Sequence, residues 1–310
     1  MVQFNFTTLK EKKQVALTFT DKPVSAWGGL VLFSKYEQEI GLVEELKSTL
    51  PFELTSPNAT KPEDTMLSFI AGVLVGSRRF QHLELLRQDK VVKKILDINR
   101  YPTDATFARF FRRFGQKQVE EMFPKLFRWQ FNRVATREAG YTLDLDSSVF
   151  ERYGKQEGAK KGYNPKKRGR PSHHPILAVL SEANMVVHGW LRSGNTKSSR
   201  GANAFLLETL SILPQHIKVS AIRGDSGFSD GNFLDFLESE SISKQYAIGM
   251  KFTGRLQAKT TLITSWQKIA KGIEIGEVYY QATTWRKARR VIIIREHVPA
   301  ILSWTVRYRK

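Results

Sequence analysis

The sequence has no cysteine. Disulfides and thiolate metal sites are therefore excluded, and a reducing compartment is expected. Acids are scarce: 30 Asp and Glu stand against 49 Lys and Arg, a net charge of +19. Lys and Arg gain affinity for a polyanion by releasing counterions from phosphate, which points to nucleic acid. A merely solubilising surface charge is the plain alternative. No run approaches the roughly 18 to 20 apolar residues of a membrane span. Residues 1–20 lack a signal-peptide core, and no long basic amphipathic helix offers itself to an anionic membrane. These absences predict a soluble cytoplasmic protein without a membrane partner. The apolar fraction, 41% of 310 residues, suffices for a packed core, and the length suits two domains.

Hydrophobic spacing changes character along the chain. After a strand-like start (Phe4, Phe6, Val15, Leu17, Phe19), Pro62, Glu63 and Asp64 form a helix N-terminus. Met66, Phe69, Ile70, Val73 and Leu74 follow at helical spacing. A second helix follows Pro102 with Phe107, Phe110, Phe111 and Phe114 on one face. It leaves Arg109, Arg112 and Arg113 off the core, as in a helix-turn-helix reader or on any exposed face. Helical spacing continues from Val119 to Val134, with a kink or restart expected at Pro124 and a stop at Gly140.

Beyond Gly140 the pattern is mixed. Strands are expected at Tyr141–Val149, at Ile176–Ala183 and Met185–Arg192 with a turn near Asn184, at Ile217–Arg223 and at Tyr246–Met250. Helices are expected at Ala202–Leu213 and Asn232–Ser239, and further strands at Glu277–Trp285, Val291–Arg295 and Ile301–Arg307. The predicted fold is α+β: a mainly helical domain over 1–140 for DNA binding or dimerisation, then a mixed-sheet domain over 141–310.

Within the strand from Tyr141, Tyr141, Leu143 and Leu145 face one way, while Asp144 and Asp146 face the other. Acids on such a strand are costly if buried without a cation or basic partner. Asp225 follows a second strand and lies between Gly224 and Ser226-Gly227, where backbone can bend close to a ligand. Acids at the ends of adjacent strands suit Mg²⁺, a hard cation that prefers oxygen. Two such ions, about 4 Å apart, support phosphodiester cleavage. The alternative is that Asp146 and Asp225 only shape local turns.

Four segments then carry a resemblance. Leu143-Asp144-Leu145-Asp146-Ser147-Ser148, Gly158–Pro165, Trp190-Leu191-Arg192-Ser193-Gly194-Asn195 and Arg223-Gly224-Asp225-Ser226-Gly227-Phe228 resemble those of bacterial insertion-sequence transposases of the DDE type. The likeness runs from about Tyr141 to Arg295. It implies an RNase H-like catalytic domain with an inserted β region. It also implies Mg²⁺ or Mn²⁺ held by Asp146 and Asp225, and metal-dependent cleavage and transfer of transposon-end DNA by a nucleoid-associated homodimer. Asp146, directly before the Ser pair, matches the first catalytic position better than Asp144. The family's third acid, a Glu on a C-terminal helix, finds no match; Glu274, Glu277 and Glu296 have the wrong surroundings. The chain is accordingly expected to be C-terminally truncated. The rival expectations are a non-catalytic remnant that competes for transposon ends, a different two-metal nuclease, and an RNA-binding protein.

Between Lys155 and Arg170, Lys160, Lys161, Lys166, Lys167, Arg168 and Arg170 crowd a Gly- and Pro-rich stretch. It is expected to be a flexible basic loop gripping DNA phosphates beside the metals; a solvated charge run is the alternative. Asn195, Thr196, Lys197 and Ser198 are weaker candidates for phosphate contact. His173 and His174, with no other His nearby in sequence, are expected to be structural.

Overall fold

In the computed structural model the described residues are 21–296, apart from 23, 54, 55, 163, 165, 166 and 243. The strand-like start, the strand expected at Ile301–Arg307, and Lys166 lie outside them. The chain divides into two compact units, Met1–Gln130 and Phe131–Lys310.

The first unit is helical. Helices α1 (Leu30–Ile40) and α2 (Leu42–Thr49) meet at Gly41, whose φ of 65° suits glycine. Then come α3 (Pro62–Leu74), α4 (Glu84–Gln88), α5 (Lys90–Ile95), α6 (Asp104–Phe111) and α7 (Gln116–Phe131). α3 begins with Pro62 in its first turn, followed by Glu63 and Asp64, as the sequence predicts. Thr103 caps α6 by accepting from the Thr106 amide at 3.2 Å. The phenylalanines of that helix build the core. Phe107 and Phe110 are buried, Phe107 stacks on Phe80 at 5.7 Å and Phe111 meets Phe69 edge-on at 4.8 Å. Arg109, Arg112 and Arg113 lie off this core, with Arg113 over the Phe52 ring.

Helix α7 runs through Pro124 without a restart. It ends at Phe131, well before the stop expected at Gly140. Gly140 (φ 71°) instead opens the next strand, where an added Cβ would sit 2.9 Å from the Lys218 carbonyl. No helix among the described residues is long and apolar enough to cross a membrane.

The second unit is built on a five-stranded sheet. Its first strand is β1 (Tyr141–Ser147), followed in the chain by the short strands β2 (Phe150–Glu151), β3 (Lys160–Lys161) and β4 (Pro171–His173). Then come β5 (Ile176–Leu180), β6 (Met185–Trp190), α8 (Ala202–Ile212), β7 (Val219–Gly224), α9 (Gly231–Leu237) and β8 (Gln245–Ile248). The sheet order is β6-β5-β1-β7-β8. β5 runs antiparallel to both β1 and β6, while β7 lies parallel to β1 and β8 parallel to β7. Asn184, at φ 50°, turns the β5–β6 hairpin. Leu143, Leu145, Ile176, Ala178, Leu180 and Ile222 are among the residues that fill its core. This is the α+β, RNase H-like arrangement that the sequence predicts.

Two parts were not foreseen in this form. Among the described residues of the basic stretch only Lys160 and Lys161 form a strand, β3, which with β2 and β4 makes a small antiparallel sheet. A Cβ on Gly162 would lie 1.9 Å from the Gly194 carbonyl oxygen, and one on Gly194 would lie 2.4 Å from that of Lys160. Backbone packs on backbone there, which only glycine permits. The inserted β region has α10 (Gly254–Thr260) and a three-stranded sheet of β9 (Gln267–Ala270), β10 (Ile273–Tyr280) and β11 (Arg289–Glu296). The strand expected to reach Trp285 stops at Tyr280, because a turn closes with the Trp285 amide on the Ala282 carbonyl at 3.0 Å.

Candidate functional site

The parallel pairing of β1 with β7 sets Asp144 beside Arg223 and Leu145 beside Gly224. One residue further along, Asp146 and Asp225 stand at the adjacent C-terminal ends of these strands. In open sheets with parallel strands, this carboxyl edge is where ligands bind. Both acids are exposed. Asp146 accepts from the Ser147 amide at 2.8 Å, and the Ser148 hydroxyl reaches it at 3.5 Å. Asp225 accepts from the Gly227 amide at 2.9 Å. Each carboxylate is thus held by its own turn.

Asp144 is in a different situation. Arg223 grips it with two bonds of 2.6 Å, and the same guanidinium donates to Ser181 Oγ at 2.8 Å. A bidentate pair of this kind satisfies the acid within the protein. Of the two acids on the outer face of β1, Asp146 is the one without a cationic partner among the described residues. Glu274 and Glu277 are likewise occupied, by Arg295 and Arg290 across the β10–β11 pair, while Glu296 ends β11 opposite Ile273.

Asp146 and Asp225 offer exposed oxygen donors from neighbouring strand ends, which fits Mg²⁺ or Mn²⁺. No group of three or more His, Asp or Glu gathers for a metal among the described residues.

The surroundings are set by glycines and one arginine. A Cβ on Gly227 would lie 2.6 Å from Ser198 Oγ and 3.0 Å from Asp225 Oδ1, so the loop before α8 packs directly on the Asp225 turn. The Gly249 amide bonds the Gly224 carbonyl at 2.8 Å and closes the other side. Arg192, past the end of β6, is 9% exposed. Burial pushes its guanidinium down to about 10, so it remains a cation at neutral pH. Its neighbours are carbonyls and a hydroxyl: His174, Lys197, Ser198, Arg200 and Ser147 Oγ. Sequence reasoning assigned Arg192 no role; its signal was an arginine ending a strand whose hairpin partner is apolar. Beside this loop lies a cavity of about 630 Å³ lined by Asn195, Lys197, Arg200, Asn203 and Asn232, among others.

The basic residues fall into two sets. Lys160, Lys161 and Arg168 lie in or beside the small sheet and have no carboxylate partner among the described residues. Lys167 bonds Tyr153 at 2.8 Å and pairs with Glu151 at 3.5 Å, and Arg170 lies over the Tyr153 ring at 4.6 Å. His173 and His174 are buried and structural. His173 joins Arg152 to the Glu157 carbonyl, and His174 Nδ1 lies 2.5 Å from the Thr196 carbonyl.

A second ionic cluster lies away from the strand ends. Arg289, at the start of β11, is 6% exposed and bonds Asp235 of α9 and Glu238 just after it. Lys287 and Tyr246 also reach Glu238. Burial raises the Glu238 carboxyl, but bonds from Arg289, Lys287 and Tyr246 outweigh it and hold it down at about 2.

The sheet order and its helices define an RNase H-like α+β protein. The model of the transposase DDE domain group 1 family matches residues 7–304, nearly the whole chain, and the chain belongs to that family. Among solved structures, the piggyBac transposase synaptic complex with hairpin DNA is similar at 13% identity and a TM-score of 0.41, over 89% of this chain and 62% of that one. The chain therefore spans less than two thirds of that transposase's length. The Mos1 transposase paired-end complex with left transposon end is similar at 11% identity and a TM-score of 0.25, over 72% of this chain and 78% of that one. No curated protein matches the chain.

Proposed function

We propose that this transposase works as those of insertion sequences do, binding transposon-end DNA and cutting it with a divalent ion held by Asp146 and Asp225. The observation that carries the proposal is the pairing of Leu145 with Gly224, which brings the two acids to one edge of the sheet. A bound Mg²⁺ or Mn²⁺ would supply charge stabilisation at a phosphate. The protein's own part is to fix two carboxylates on rigid strand ends and to present Lys160, Lys161 and Arg168 to the backbone of the same DNA. Lys167 and Arg170 brace Tyr153 and contribute less. The helical unit, with Arg109 and Arg112 off its aromatic core, is proposed to contact transposon ends or a second copy of the chain.

The test is nicking of supercoiled plasmid bearing transposon ends, with Mg²⁺ or Mn²⁺. Cutting that disappears in Asp225→Asn supports the reading. A second reading is favoured by the lack of a third acid beside the pair among the described residues. On that reading the chain occupies DNA ends without cutting them. It predicts salt-sensitive binding, indifferent to Asp146→Ala, and no nicking with either ion.

A further inference from the structure

Arg192 is a buried cation with no carboxylate partner among the described residues, and its bonds go to both sides of the candidate site. Nη2 donates to Ser147 Oγ at 2.8 Å, and Ser147 is the residue whose amide holds Asp146. Ser147 Oγ in turn donates to the Pro175 carbonyl at 3.1 Å, so this hydroxyl has both its roles filled. Nη1 donates to the carbonyls of Ser198 at 3.0 Å and Arg200 at 2.8 Å, with Lys197 at 3.4 Å. Nε donates to the His174 carbonyl at 3.0 Å, and the His174 amide bonds back to the Arg192 carbonyl at 2.8 Å. The clamped loop carries Ser198, which packs on Gly227, the residue whose amide holds Asp225.

We propose that Arg192 is a positioning residue that fixes the Asp146 turn and the Asp225 turn relative to each other. This rests on the reading that the two acids share a divalent ion. A guanidinium suits the task because its planar fork directs several donors at fixed angles, which an ammonium cannot do. Desolvating a charge without an opposite charge is costly. The carbonyls around Arg192 offset that cost, and the result is a rigid link from the Asp146 turn, through the loop before α8, to the Asp225 turn.

The test uses the full chain and Mn²⁺ alone as probe, read by electron paramagnetic resonance, with melting curves alongside. Arg192→Met keeps the bulk and removes all donors. Ser147→Ala removes only the link to the Asp146 side. Loss of a residue that orients metal ligands costs roughly 10- to 100-fold in affinity. Arg192→Met is expected to weaken Mn²⁺ binding by that factor while still melting cooperatively, Arg192→Lys to recover part of it, and Ser147→Ala to lose less. If Arg192→Met does not fold, Ser147→Ala decides. A folded Arg192→Met, or a Ser147→Ala, with wild-type Mn²⁺ affinity overturns the proposal, while loss of binding in Asp146→Asn keeps the underlying reading intact. A wild-type protein that binds no Mn²⁺ overturns both.

Discussion

Around Arg289 a buried cation meets two carboxylates; at the ends of β1 and β7 the buried cation and the carboxylates are kept apart. In the first region Asp235 and Glu238 are engaged by Arg289, Lys287 and Arg286, tying the start of β11 to the end of α9. In the second, Arg192 is surrounded by carbonyls while Asp146 and Asp225 lean only on their own turns. Asp144 and Arg223 show that this part of the chain also forms tight ion pairs. Charge in the first region therefore holds secondary structure together. In the second, Asp146 and Asp225 have no cationic partner among the described residues, and on the proposed function a divalent ion takes that place.

The largest expected effect is on the closed cluster. Arg289→Met leaves two partly buried carboxylates facing each other and should destabilise the protein by about 3 kcal/mol, read by urea unfolding. The same cluster sets an acid limit. The Glu238 carboxyl is depressed to about 2 from an ordinary 4.5, so its stabilising contribution is complete above about pH 4.5 and is lost as pH falls towards 2. Melting temperature in Glu238→Gln should therefore be flatter than wild type across that window.

At the open region, Asp146→Asn and Asp225→Asn should each reduce Mn²⁺-supported nicking by about 100-fold or more, the upper end for loss of a mere supporting residue. Their DNA retention on a filter should stay unchanged. The double replacement Lys160→Ala with Lys161→Ala should lower the salt dependence of DNA binding, by about 0.9 in slope for each phosphate no longer neutralised. Lys167→Ala should change it less, because Lys167 is already engaged with Tyr153 and Glu151. The smallest effect is expected for Asp144→Asn. Its partly exposed pair with Arg223 is worth under about 1 kcal/mol in a melting experiment.

Much of this was legible in the residues. Alternation in Tyr141–Ser147 set Asp144 and Asp146 on one face. Gly224 and Gly227 flagged a turn at Asp225, and turn chemistry at Asn184 placed the first hairpin. Strand order joined these into the α+β sheet. What stayed hidden depends on long-range pairing. Only the register of β1 with β7 reveals that Arg223 takes Asp144 and leaves Asp146 free. Gly162 and Gly194 read as loop residues until their backbones are seen to touch, so the pairing of Lys160 and Lys161 with β4 went unseen. A kink or restart was expected at Pro124, and the helix passes through it without a restart. Arg192 carried no periodic signal at all, since its partners come from β1, the residue after β4 and the loop before α8.

Whether Asp146 and Asp225 share one ion is decided by titrating Mn²⁺, under calorimetry, into the wild-type chain and into Asp144→Asn, Asp146→Asn and Asp225→Asn. Wild type and Asp144→Asn are predicted to bind alike, while Asp146→Asn and Asp225→Asn lose the site. Binding that survives both of the latter, or that fails in Asp144→Asn as well, would contradict the shared-ion site.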